Sequence, residues 1–278
     1  MEQIRLKYLH AVNDHEGESR APGIILTFEG KVALITGASS GLGVHFANVR
    51  GLRALPLFLP PVEQKSWPEE VSSIKSGGGK ACSVEMDVAK PDSVRSAFEW
   101  ISHEFGAIDI LINNAGVASE PKKFLDTDEE DWKWVMDTNL DGAWRVAKAA
   151  AENMIAAGRE GAIVNIGSIY GLKTGALKVA YNVSKAGVVQ LTKSMAVELC
   201  RKKIRVNALC PGWFKTDMNN EYFETENGKR YVQGIPARRL GELDDLTVPL
   251  LMLASDSAAA YVTGSCITVD GGIAESPI

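Results

Sequence analysis

Tyr181 and Lys185 stand four residues apart, so on a helix their side chains share one face. An isolated phenol titrates near 10 and exchanges protons poorly at neutral pH. A neighbouring ammonium favours the phenolate and draws that value toward the working range. The pair therefore reads as a general acid, Tyr181, able to give its proton to a substrate oxygen. Ser168 ends an apolar run and can donate a hydrogen bond to the same oxygen. Each residue also has a plain structural reading: Tyr and Lys at this spacing often form a solvated helix face, and a Ser at a strand end is often a cap. Their joint occurrence with a glycine loop upstream favours catalysis.

That loop reads Thr36-Gly37-Ala38-Ser39-Ser40-Gly41-Leu42-Gly43 and follows the apolar run Val32-Ala33-Leu34-Ile35. Gly37 permits a tight turn, Gly41 lets backbone approach a pyrophosphate, and Gly43 allows a helix to pack closely. Free N–H groups and the positive end of the helix dipole, about half an elementary charge, then face the anion. Glycines also make ordinary turns, so the loop takes its meaning from its place between the first strand and a helix.

Positioning these groups requires a sheet. Short apolar runs at 31–36, 81–87, 108–113, 162–168, 204–210 and 265–270 alternate with helix-period segments at 92–105, 128–157, 181–200 and 243–255. Thr127 and Glu130 have capping-box spacing, which predicts the start of the second of these helices. Apolar runs joined by helix-length crossovers predict a parallel sheet covered on both faces. The expected fold is α/β, a doubly wound Rossmann-type sheet in three layers. Ligands of such folds bind at the carboxyl ends of the strands, where the glycine loop and Ser168 fall.

Further motifs follow in order: Asp87-Val88, Asn113-Asn114-Ala115-Gly116, Ser168 with Tyr181-x-x-x-Lys185, and Pro211-Gly212. Together with the loop, they resemble the short-chain dehydrogenase/reductase family from about Glu29 to Gly272. The resemblance implies about seven strands, a nicotinamide cofactor, a small-molecule carbonyl or alcohol substrate, and a homotetramer or homodimer. It gives the phosphates to Gly37, Ser39, Ser40, Gly41, Leu42 and Gly43, and the adenine end to Asp87 and Val88. Asn114, Ala115 and Gly116 take the central phosphate–ribose region, and Pro211, Gly212 and Thr216 surround the nicotinamide. Lys185 also holds the ribose hydroxyls, beside Tyr181, and Asn139 holds a water that links Lys185 to solvent.

Other readings of these residues stay open. Asp87 can cap the following helix, Asn114 can tie neighbouring strands, and Asn139 can be a packing residue within its helix. Pro211-Gly212 is also an ordinary strand-to-loop break. The family places a substrate lid at about 213–240, which here carries Trp213, Phe214, Met218, Tyr222, Phe223 and Tyr231. These aromatics fit an apolar or mixed substrate, or simple packing. The run Ile235-Pro236-Ala237-Arg238-Arg239-Leu240-Gly241-Glu242 is similar to 3-oxoacyl-carrier-protein reductases, and sugar, polyol and steroid dehydrogenases share it.

One region departs from the family. Where a second strand and its cofactor-selecting end belong, residues 48–68 carry prolines at 56, 60, 61 and 68, and no acidic or basic fingerprint. Back-translated and read one base earlier, the codons of Arg53 to Pro68 permit Ala-Gly-Ala-Thr-Val-Ile-Leu-Ala-Ala-Arg-Arg-Thr-Glu-Lys-Leu-Ala, rejoining the present frame at Glu69. That resembles the family's second strand with a basic, NADP-selecting end. A compensating pair of frame errors is the reading, and Val62 and Glu63 then stand where paired arginines would grip a 2′-phosphate. NADP is the expected cofactor of the parent, with NAD an alternative for the chain as written. A catalytically impaired nucleotide-binding protein is the rival to an enzyme.

Composition sets outer bounds. The chain has 278 residues, a net charge of −5 and 23% charged residues, which gives no electrostatic reason to expect a nucleic-acid partner. No uncharged stretch is long enough to cross a bilayer. Cys82, Cys200, Cys210 and Cys266 lack C-x-x-C spacing and a nearby His, so no metal is expected and buried reduced thiols are. Residues 1–23 lack an apolar signal core. The expectation is a cytoplasmic protein with a loose extension at 1–26 before one dinucleotide-binding and catalytic domain at 27–278. His10, His15, His45 and His103 receive no chemistry, and Trp100, Trp132, Trp134 and Trp144 are expected to pack helices.

Overall fold

In the computed structural model, which describes residues 28, 30–38, 41–49, 57–59, 83–215 and 220–276, the apolar runs form a parallel sheet. Its strands are β1 (Ala33–Ile35), β2 (Leu57–Leu59), β3 (Ser83–Glu85), β4 (Ile110–Asn113), β5 (Gly161–Ile166), β6 (Ile204–Pro211) and β7 (Cys266–Val269). Their order is β3-β2-β1-β4-β5-β6-β7. The chain reverses its direction of strand addition between β1 and β4, the position at which doubly wound sheets open a crevice for ligands.

Side-chain alternation divides these strands between two helical layers. Ala33, Ile35, Ile110, Ile112, Val164 and Leu209 face a core closed by α1 (Gly41–Asn48) and α8 (Thr247–Ala254), through Phe46, Leu250 and Leu253. Leu34, Leu111, Ile163 and Val206 face the opposite core, closed by α2 (Pro91–Phe105), α4 (Ala143–Ala156) and α5 (Val179–Leu199). Each fully buried Leu or Ile contributes about 1.5–3 kcal/mol. The three-layer expectation therefore holds at single-residue resolution.

The predicted helix at 128–157 is divided. α3 (Glu129–Met136) and α4 flank a wider, π-type turn over Asp137–Gly142. Such turns often mark functional positions, and this one carries Asn139. The predicted cap is also corrected: Asp128, not Thr127, accepts the Asp131 N–H at 2.8 Å, while the Thr127 hydroxyl donates back to the Lys123 carbonyl. Asp128 has the extended backbone a cap needs, and its carboxylate suits the positive helix end.

Other expectations also shift. Trp100 packs edge-on to Phe105, but Trp134 and Trp144 are about half exposed on their helices. Cys210 is buried as expected, whereas Cys200 is exposed and Cys266 partly so. The extension at 1–26, His10, His15, Ser39, Ser40, Val62, Glu63, Cys82, Thr216 and Met218 lie outside the described residues.

A buried polar chain locks the layers together. Asn113 Nδ2 donates to the Ala143 carbonyl and to Asn165 Oδ1, and Asn165 Nδ2 donates to Thr192 Oγ1 at 2.9 Å. Asn165→Leu takes one hydrogen bond from each of two buried side chains, Asn113 and Thr192, which keep their bonds to the Ala143 and Val188 carbonyls. The expected loss is about 2 kcal/mol or more in urea unfolding; a loss below about 0.5 kcal/mol would contradict the network's role.

Candidate active site

β5 delivers Ser168 just beyond its carboxyl end, and α5 presents Tyr181 and Lys185 one turn apart on its first turns. The Ser168 hydroxyl and the Tyr181 phenol lie within hydrogen-bonding reach. Ser168 also accepts the Tyr170 N–H at 3.1 Å, so the side chain that faces Tyr181 also caps the turn that follows β5. Lys185 is buried, and its Nζ donates to the Ile166 carbonyl at 2.9 Å while standing 5.7 Å from the centre of the Tyr181 ring. All three residues gather where the fold opens its crevice.

The glycine loop meets the same crevice from β1. At Gly41 the backbone takes φ +53° and a side chain would point into open space, so an incoming phosphate meets only backbone there. At Gly43 a Cβ would lie 2.1 Å from the Gly37 carbonyl oxygen, which only glycine tolerates. Asn114 Nδ2 donates to the carbonyls of Thr36 and Gly37 at 3.0 and 3.1 Å. Its side chain therefore ties the end of β4 to the loop, the second of its two readings. Ala115 N–H is held by Thr36 Oγ1, and a side chain at Gly116 would crowd Asn139 Oδ1 and Lys185 Nζ at 3.3 and 3.5 Å. Open space over Gly41, the bare Gly116 and the amino end of α1 together fit a dinucleotide.

Residues 37–274 match the family described as Enoyl-(Acyl carrier protein) reductase. A 3-oxoacyl-[acyl-carrier-protein] reductase of Vibrio cholerae is 35% identical over 248 residues, covering 89% of this chain and 99% of that one. The chain belongs to the short-chain dehydrogenase/reductase family. It is thus an enzyme of oxidoreductase type. An L-rhamnose 1-dehydrogenase (NAD(P)(+)) of Azotobacter vinelandii is 38% identical, covering 87% of this chain and 96% of that one. A gluconate 5-dehydrogenase of Burkholderia cenocepacia, solved in complex with NADP and tartrate, superposes with a TM-score of 0.82 at 32% identity, over 90% of this chain and 98% of that one.

In this short-chain dehydrogenase/reductase, Asn139 is held inside the π-type turn. Its side chain accepts the Val117 N–H at 2.7 Å and donates to the Val117 carbonyl and to Ser184 Oγ. Asp87 does not cap α2: it accepts the Ala89 N–H and pairs with Lys90, building the turn ahead of the helix. Val88 is buried against Gly142. Pro211 ends β6 opposite Val269, and Gly212 N–H continues the ladder to the Val269 carbonyl. The segment expected as a lid leaves at Phe214 and returns at Gly241, where the two form a parallel bridge. It contains α6 (Asn220–Glu224) and α7 (Glu226–Gly234).

Electrostatics correct one expectation. Burial holds the Tyr181 phenol above its ordinary value, with the Ser168 hydrogen bond a smaller opposing influence. The ammonium does not reverse this, because it stands at 5.7 Å and is aimed at a carbonyl. Tyr181 is therefore kept as the neutral acid. Burial also lowers Lys185 to about 8, opposed weakly by Cys210, which leaves it charged at neutral pH.

Two residues take roles that the motifs leave unassigned. Thr36 is buried and anchors both Asn114 and Ala115 by their N–H groups, a role signalled only by its place at the end of β1. Tyr170 stands edge-on to the Tyr181 ring at 6.4 Å, signalled only by its position two residues after Ser168. A separate groove of about 710 Å³ lies at the opposite end of the sheet, beside Lys203, Arg205 and Asp256. Arg205 is committed there to the Leu253 and Ser255 carbonyls and to Asp256, so that end is structural.

Proposed function

We propose that this protein is an NADP-dependent oxidoreductase that interconverts a small-molecule carbonyl and secondary alcohol. The observation that carries the reading is the convergence of Ser168, Tyr181 and Lys185 beside the glycine loop at one crevice. Tyr181 gives its phenolic proton to the substrate oxygen, and Ser168 orients that oxygen by hydrogen bonding. A bound nicotinamide supplies the hydride. Gly37, Gly41, Leu42 and Gly43, with Ser39 and Ser40, line the phosphates; Asp87 and Val88 flank the adenine; Pro211, Gly212 and Thr216 flank the nicotinamide. Asn114 and Thr36 act by holding Ala115 and Gly116 open, and Asn139 holds the relay beside Lys185. NADP in the gluconate 5-dehydrogenase structure supports the cofactor choice.

Exposed apolar side chains at Phe124, Leu125, Trp134, Trp144 and Val197 support a homotetramer or homodimer. Among the described residues no helix is long and apolar enough to cross a membrane, and a cytoplasmic setting is part of the proposal.

NADPH oxidation with a panel of diketones and aldehydes tests the reading. Cofactor binding without turnover of any member would favour a silent nucleotide-binding protein, which the aberrant stretch before Glu69 motivates. The pH profile is a second test. Lys185 loses its charge near 8, so the reduction rate should fall as pH rises through about 8, well before Tyr181 deprotonates. A rate that stays flat from about pH 6 to 10 contradicts the role of Lys185. The same shift predicts that stability rises with pH above about 8, because the unfolded chain then binds more protons than the native state.

A further inference from the structure

Lys173, five residues after Ser168, reaches the turn at 270–276 that follows β7. Its Nζ donates to the Ile273 carbonyl at 3.0 Å and to the Ser276 carbonyl at 2.7 Å. The turn takes its direction from Gly271 and Gly272, whose φ values of +64° and +89° only glycine adopts freely. Asp270 holds its near end, accepting the N–H groups of Gly272 and Ala274 at 2.9 and 2.6 Å. Two parts of the crevice lean on this turn. Gly212 packs on Asp270, where an added Cβ would lie 2.7 Å from the Asp270 Cβ. The Ala237 N–H donates to the Gly271 carbonyl at 3.0 Å, and Gly272 lies against Pro236.

Pro236 and Ala237 belong to the returning limb of the segment expected as a lid. That segment is docked beside the phenol: Trp213 donates to Tyr231 Oη of α7 at 2.8 Å and stands edge-on to Tyr170, itself edge-on to Tyr181. Two adjacent glycines give the turn beneath the limb little stiffness of its own, so its shape depends on what grips it. We propose that Lys173 is a positioning residue that holds the segment at 213–241 closed over the crevice, acting through the turn at 270–276. The inference rests on the oxidoreductase reading given above. An ammonium shared between two carbonyls makes two charge-assisted bonds. Removing both from a partly exposed side chain should lower the closed population about tenfold. Apparent affinity scales with that population, so KM rises while kcat, read at saturation, stays in place.

Lys173→Met keeps the stem and removes the donors, whereas Lys173→Arg keeps them in a fork that can serve two carbonyls. Hydrogen exchange is read by mass spectrometry on the intact protein, with and without NADPH. Over 226–241 it should run about tenfold faster in Lys173→Met, stay unchanged over α5, and lie within about twofold of the native protein in Lys173→Arg. KM for the best carbonyl of the panel should rise about tenfold in Lys173→Met, with kcat within about twofold. Unchanged exchange over 226–241 would overturn the proposal, as would an arginine no better than methionine. Faster exchange over α5 as well, or a loss of kcat at unchanged KM, would make Lys173 a stability residue and overturn it equally. Exchange needs no substrate, so its outcome is independent of the chemistry. Failure of the oxidoreductase reading has a different signature, undiminished turnover in Tyr181→Phe.

Discussion

Tyr181→Phe should lower kcat for carbonyl reduction at least about hundredfold and change the Kd for NADPH by no more than a few-fold. The substitution keeps the ring and its edge contact with Tyr170. It removes one proton donor and one bond to Ser168, and Ser168 retains the Tyr170 N–H. Folding therefore survives while the acid is lost. Lys185 cannot substitute, since its ammonium is directed to the Ile166 carbonyl. Steady-state turnover and fluorescence titration separate the two quantities. A loss smaller than about tenfold in kcat would remove Tyr181 from the chemistry, and an equal loss in cofactor affinity would make it a binding residue instead.

How much of this was legible in the residues differs by level. The layers were legible because alternation is a local property: Leu34 and Ile35 must face opposite cores if both are buried. The spacing of Tyr181 and Lys185 was legible for the same reason. The sign of the Tyr181 shift was not, because it depends on how deeply the ring is buried and where the ammonium points. Pairwise spacing carries neither fact. Asp128 displaced Thr127 as the cap because two adjacent residues could each serve, and backbone conformation chose between them. The break at Asp137–Gly142 was hidden because a π-type turn leaves the apolar periodicity on both sides intact. Tyr170 went unnoticed since its partners, Trp213 and Tyr231, lie far along the chain.

The double substitution Val62→Arg with Glu63→Arg should tighten NADPH binding about hundredfold and leave NADH nearly unchanged. β2 shows why the effect concerns recognition and not folding. Leu57 pairs in parallel with Ile35 and Ser83, and Leu59 with Glu85. The displaced frame permits Val-Ile-Leu at positions 57–59, so either reading supplies an apolar strand. The difference falls after the strand, at the place where a doubly wound fold discriminates the 2′ position of the ribose. Two arginines there would replace a neutral and an acidic residue with two cations able to bond a 2′-phosphate. Each charge-assisted bond to a phosphate contributes about 1.5–3 kcal/mol, and about 2.7 kcal/mol corresponds to the hundredfold stated. Fluorescence titration with both cofactors reads the change. If NADPH and NADH tighten equally, the arginines act as a general positive field. If neither moves, cofactor choice in this chain is made elsewhere than beyond β2. Sequencing the source transcript supplies the independent arm: an unambiguous in-frame coding of Arg50 to Pro68 would make the present residues native and turn the double substitution into a redesign, not a restoration.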